Sequence, residues 1–163
     1  MASYEYSVSP DSYLERARDQ LLEDSARSLF YAAFELRCFV EARQDLYLDA
    51  QQEYARSVPK HWKIGAQGKT LDAICESDRS QRIIWNYEGE QIFDSYHTPV
   101  TSDLRKRAAK LGELLHSQGT WRDSKDKWWM ATRSDLVETY EIAWLCNKGS
   151  LLSPMFLHNG STV

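Results

Sequence analysis

Residues 26–56, ARSLFYAAFELRCFVEARQDLYLDAQQEYAR, contain neither glycine nor proline and consist mostly of strong helix formers. They predict one unusually long helix, roughly Ser25 to Ser57. Pro59 sets its end, because proline disfavours helix at Val58 and has no backbone N–H to donate. In the first half, Leu29, Phe30, Tyr31, Ala32, Ala33, Phe34, Leu36, Cys38, Phe39 and Val40 place apolar side chains almost all round the helix. A helix of that kind belongs at the centre of its domain. Beyond Ala42 the apolar set narrows to Leu46, Tyr47, Leu48 and Tyr54. That narrowing predicts an end projecting toward solvent or a partner, with Tyr47 and Tyr54 as interface residues. Glu35 and Arg37 are charged residues inside the apolar half, where an ionised group needs a partner. For Arg37 a local partner is Glu41, one turn on.

Working outward, Ser9-Pro10-Asp11 reads as a helix start, with Ser9 as N-cap and Pro10 at the first helical position. Leu14, Ala17, Leu21 and Leu22 then mark an amphipathic helix to about Asp24. On the other side, Lys60 to Lys69 reads as a loop, and Thr70 as the cap of a short helix through Leu71, Ile74 and Cys75. Arg82–Tyr87 (RIIWNY) and Gln91–Tyr96 (QIFDSY) are β-rich runs around Glu88-Gly89-Glu90, which predicts a hairpin. Leu104, Ala108, Leu111 and Leu115 form the stripe of a helix ending near Gly119. After a polar, Trp-containing connection, Thr132 and Asp135 suggest a capping box for a last helix. That helix carries Leu136, Tyr140, Ala143 and Trp144 and stops at Gly149. The fold class that follows is mainly α, an up-and-down bundle of four to five helices with a β-hairpin insertion at about 82–96, in a single domain with a tail from 150 to 163.

Composition sets the outer limits. A chain of 163 residues with 42% hydrophobic and 12% aromatic content can bury a full core without a metal or disulfide staple. A net charge of −4 argues against bulk electrostatic capture of nucleic acid or acidic membrane. Cys38, Cys75 and Cys146 have no CxxC spacing and read as reduced thiols. Met1 to Tyr13 lacks the basic start and apolar run of a signal peptide, and no apolar run approaches the roughly 20 residues of a membrane span. The expectation is a cytoplasmic protein without a membrane segment.

Tyr13-Leu14-Glu15-Arg16-Ala17-Arg18 and Leu21-Leu22, followed by Ser28-Leu29-Phe30-Tyr31-Ala32-Ala33-Phe34-Glu35, resemble the opening helix pair of HEPN domains over the first third of the chain. That resemblance implies a small helical bundle of a prokaryotic defence, toxin–antitoxin or RNA-processing system. Many active members cleave RNA without a metal, through an Arg and a His a few residues apart. Arg56-Ser57-Val58-Pro59-Lys60-His61 has such a spacing. In that reading His61 moves the proton of the ribose 2′-OH, Arg56 stabilises the phosphorane and Glu35 supports them. The alternative is a solvated helix terminus with Arg56 complementing the helix dipole, and Glu35 in a structural ion pair.

Two groupings mix cations with aromatics. Arg122, Trp128, Trp129 and Arg133 could stack bases and hold phosphates, and so could Lys60, Lys63 and Lys69; equally, the tryptophans could close the open end of the bundle. Gly65-Ala66-Gln67-Gly68-Lys69-Thr70 is not a phosphate-binding loop, since Lys63 stands where its first glycine is required. The histidines show no metal-ligand spacing. No cofactor or metal is expected. The partners to test are RNA or a protein, with a homodimer as the default assembly.

Overall fold

A computed structural model describes residues 5–23, 25–50, 64–74, 78–116, 118–151, 157–158 and 161–162. Among these, the chain is a bundle of five helices with an antiparallel hairpin between the third and fourth. Helix α1 (Pro10–Leu22) starts as its sequence requires: Ser9 Oγ accepts the Ser12 N–H at 3.2 Å and Pro10 opens the first turn. Leu14, Ala17 and Leu21 face inward.

Helix α2 (Ala26–Ala50) is about 38 Å long at 1.5 Å per residue. Ser25 Oγ accepts the Ser28 N–H at 3.0 Å at its start. It is the one helix that touches all four others. Its first half supplies Leu29, Ala32, Ala33, Leu36, Phe39 and Val40 to the core, while Tyr31 and Phe34 stay exposed. Its second half departs from the sequence expectation. Arg43, Gln44, Tyr47 and Leu48 are buried, so as far as Leu48 one face of the helix is packed inside the fold. The reason is that its polar residues bond to distant backbone, which apolar periodicity cannot show. Residues 51–63, including Tyr54, the Arg56 to His61 segment and Lys63, lie outside the described residues.

Helix α3 (Ile64–Ile74) begins six residues earlier than the sequence suggests and absorbs Gly65 and Gly68. Each helical glycine costs about 1 kcal/mol relative to alanine. Gly68 lies close under Arg105: a Cβ there would stand 2.8 Å from Arg105 Cδ and Nε, and that side chain would have to shift. Gln67 Nε2 donates to Asp45 Oδ1 and Gln44 Nε2 to Ile64 O, tying α3 to α2.

Strands β1 (Gln81–Tyr87) and β2 (Glu90–His97) pair antiparallel around a two-residue turn. Glu88 and Gly89 have φ of 50° and 87°, the positive values that a type I′ hairpin demands. The register shifts between Trp85 and Asn86, leaving Ile92 as an extra residue in β2, a bulge. Helix α4 (Ser102–Leu114) is capped by Thr101 and buries Leu104, Ala108 and Leu111. It stops short of Leu115, which is largely exposed.

Helix α5 (Lys127–Lys148) starts at an Asp126 cap, whose carboxylate accepts the Trp128 N–H at 2.9 Å. Thr132 and Asp135 therefore lie inside it, not at its start, and Asp135 pairs with Lys110 at 3.0 Å. Gly149 ends it in extended backbone, φ −84°, not the left-handed conformation of a glycine cap. Closeness explains the glycine instead: a Cβ would collide with Thr98 Oγ1 and stand 2.7 Å from Thr98 N. Ser150 then bridges to His97 at the hairpin base, its N–H bonding Tyr96 O at 2.7 Å. In the tail, Leu157–His158 (β3) pairs antiparallel with Ser161–Thr162 (β4).

These two kinds of glycine should respond oppositely to alanine. In urea titrations Gly149→Ala should destabilise by about 1–3 kcal/mol through overpacking, whereas Gly65→Ala, with open space around its Cβ, should stabilise by about 0.5–1 kcal/mol. Equal effects would contradict the close-approach account.

Candidate functional site

Glu35 is 8% exposed on α2 and faces α1 and the segment before it. Arg16 Nε donates to its Oε2 at 2.9 Å, and the Tyr6 hydroxyl lies 3.3 Å from both carboxylate oxygens. The Arg16 guanidinium sits 4.0 Å over the Tyr6 ring and 4.8 Å over that of Tyr13, and Arg16 Nη1 donates to Ser7 O at 2.9 Å. Burial, then the Glu35 charge, push the Tyr6 phenol up. The arrangement is an ion pair between the first two helices, with its cation between two aromatic rings. Arg37 likewise finds Glu41 at 3.1 Å. Both charges in the apolar half of the long helix are therefore satisfied.

Beside Glu35 an apolar cleft of about 770 Å³ opens between α2 and the end of α4. Phe30, Tyr31, Phe34, Leu114, Leu115 and His116 line it, with Tyr6 and Gln118. Among the described lining residues no second carboxylate joins Glu35 there. The other two residues of the predicted catalytic set, Arg56 and His61, lie outside the described residues.

The expected nucleic-acid residues divide. Lys69 is exposed on α3, and Lys60 and Lys63 are outside the described residues. Arg133 reaches the end of α1, donating to Leu21 O at 2.6 Å and Glu23 O at 3.1 Å, where a cation complements the helix dipole. Trp129 packs edge-on against Phe30 and Trp128, and its indole N–H bonds Asp123 O at 2.8 Å. Arg122 lies 4.2 Å over the Trp128 ring. This group closes the bundle end, the second of the two roles its composition allowed.

Tyr47, expected at an interface, is 2% exposed inside the fold, its hydroxyl donating to Thr98 O. A group of exposed apolar side chains lies elsewhere, on the hairpin. Ile84, Trp85, Tyr87, Ile92 and Tyr96 are each between 44% and 63% exposed, while β2 meets α2 at the hairpin base, where the His97 ring packs edge-on against Tyr47. Strand alternation puts Trp85 and Tyr87 on one face and Ile84 with Tyr96 on the other. On that second face Arg82 grips Asp94 through two hydrogen bonds, of 2.9 and 2.6 Å. The Arg82 guanidinium holds the Asp94 carboxyl below its ordinary value. The imperfect alternation of the sequence was the one available signal for an apolar surface on both faces.

Among the described residues no group of three or more His, Cys, Asp or Glu converges as metal ligands would, and no helix is long and apolar enough to cross a membrane. Comparison with family models, with curated proteins and with solved structures finds no match to this chain.

The Arg16–Glu35 pair makes a quantitative claim. Arg16→Met and Glu35→Leu should each destabilise by about 1–3 kcal/mol in urea, since each strands the other's charge. The double substitution should cost less than the two singles summed, with a coupling of about 1 kcal/mol. Strict additivity would show that the two side chains do not act as a pair.

Proposed function

We propose that this chain is a non-catalytic protein-interaction module that docks through its hairpin. One observation carries the reading: β1 and β2, anchored on α2 through His97 at the hairpin base, hold five large apolar side chains in solvent. A two-stranded hairpin is marginal in water by itself and gains stability from a third strand or a covering surface. Large apolar side chains held in solvent on both faces of one hairpin mark an interaction element. Strand addition to a free sheet edge is a recurrent way for such a hairpin to bind.

The competing proposal is metal-independent RNA cleavage by Arg56, His61 and Glu35, as the HEPN resemblance implies. The pairing of Glu35 with Arg16 and Tyr6 favours a structural role for that carboxylate. The engagement of Trp129 and Arg133 within the bundle favours the same conclusion for them.

The test is a variant carrying Trp85→Ser, Tyr87→Ser and Ile92→Ser. It should unfold in urea within about 1 kcal/mol of the parent, because these side chains support no bundle contact. By light scattering the parent should show association and this variant should not. Destabilisation on the scale of a core truncation, about 3–5 kcal/mol, would contradict a free-standing hairpin. Cleavage of structured RNA in chelator, abolished by His61→Ala, would overturn the non-catalytic reading.

A further inference from the structure

The two edges of the hairpin are not equivalent. On β2 the Ile92 bulge breaks the ladder, and the eight residues Glu90–His97 include the acids Glu90 and Asp94. Asp94 is matched by Arg82 across the hairpin, so the bulge is what distinguishes this edge. A bulge is one way an edge is protected from pairing. β1 has no such device. Its seven residues, QRIIWNY, contain no proline and one charge, Arg82, and that charge is already matched by Asp94 of its own hairpin.

β1 is also complementary to itself. An antiparallel pairing of two β1 strands over all seven residues is centred on Ile84. It sets Ile84 opposite Ile84, Ile83 opposite Trp85, Arg82 opposite Asn86 and Gln81 opposite Tyr87. Aliphatic and aromatic pairs of this kind stabilise cross-strand neighbours. The two Arg82 residues stand four positions apart along the strands, roughly 13 Å, beyond the screening length at physiological salt. Extending the register past the strand sets Glu88 opposite Ser80 and Gly89 opposite Arg79 of the second copy.

We infer that the hairpin's partner is a second copy of this chain, joined by antiparallel β1–β1 pairing about Ile84 into a four-stranded sheet with twofold symmetry. This rests on the reading of the hairpin as a docking element and goes further in naming the occupant and the register. A twofold interface of this type is closed, so assembly stops at the dimer. Both strands left at the rim are then bulged β2 strands, the protected kind.

Sedimentation of the full chain over roughly a hundred-fold concentration range should show the mass rising from 19.0 kDa to twice that value and no higher. Ile84→Lys, which opposes two cations on the symmetry axis, should weaken the dimer about ten-fold or more. Ile92→Lys on β2 should leave it intact. As a readout independent of the lysine variant's folding, Ile84→Cys in a Cys75→Ser background should form a covalent dimer under mild oxidation, and Ile92→Cys should not. A monomer at every concentration would overturn self-pairing while leaving hairpin docking to a different protein standing. A dimer that survives Ile84→Lys without an 84–84 cross-link, but falls apart in the Trp85, Tyr87 and Ile92 serine variant, would overturn the β1 register alone. A dimer indifferent to every hairpin substitution would overturn both.

Discussion

The Arg43 side chain, only 6% exposed on the central helix, donates from Nη2 to Cys146 O at 3.1 Å and Gly149 O at 2.6 Å. The last carbonyls of a helix have no partner within it, and burying them unpaired is expensive. A guanidinium reaching them from α2 resolves that problem and fixes where α5 must end. The same junction gathers the hairpin base. Tyr47, one turn beyond Arg43, donates to Thr98 O, Thr98 Oγ1 donates to Cys146 O at 2.7 Å, and His97 Nδ1 lies 3.2 Å from Ser150 O. Burial pushes the Cys146 thiol up to about 11, as a dry junction would. Two adjacent turns of one helix thus position the end of α5 and the start of the hairpin together.

That arrangement separates stability from surface. The hairpin is fastened at its base, through Tyr96, His97 and Thr98, and by nothing along its length among the described residues. Its outer strand residues are free to be chosen for what they bind. About two turns earlier on α2 the Arg16–Glu35 pair joins α1 to the central helix. Glu35 is thus paired within the bundle, whereas the apolar side chains of the hairpin strands stay exposed.

Local signals were legible in the sequence and long-range ones were not. Ser9-Pro10 marked the start of α1, the glycine- and proline-free run marked α2, and the stripe of Leu104, Ala108 and Leu111 marked α4. Arg37 and Glu41 could be paired in advance because they are one helical turn apart. Glu35 could be marked as needing a partner, but its partners are 19 and 29 residues away. Arg43, Gln44 and Tyr47 looked like a solvated helix end because their acceptors lie on other elements, for Arg43 and Cys146 103 residues apart. Gly68 hid the beginning of α3, since a glycine lying close under Arg105 looks the same in sequence as a loop glycine. Asp126 was a sufficient cap for α5, masked by a polar, Trp-containing stretch that resembled a connection.

Native-state hydrogen exchange on Arg43→Met tests most directly whether the buried guanidinium organises the fold. Methionine keeps the length of the side chain and removes its donors. The expected result is a selective loss of amide protection in the last turn of α5 and from Tyr96 to Val100, with α1 and the Leu29 to Val40 portion of α2 unchanged. Protection that stays at parental levels at the α5–hairpin junction, or that falls evenly through the whole bundle, would contradict the account.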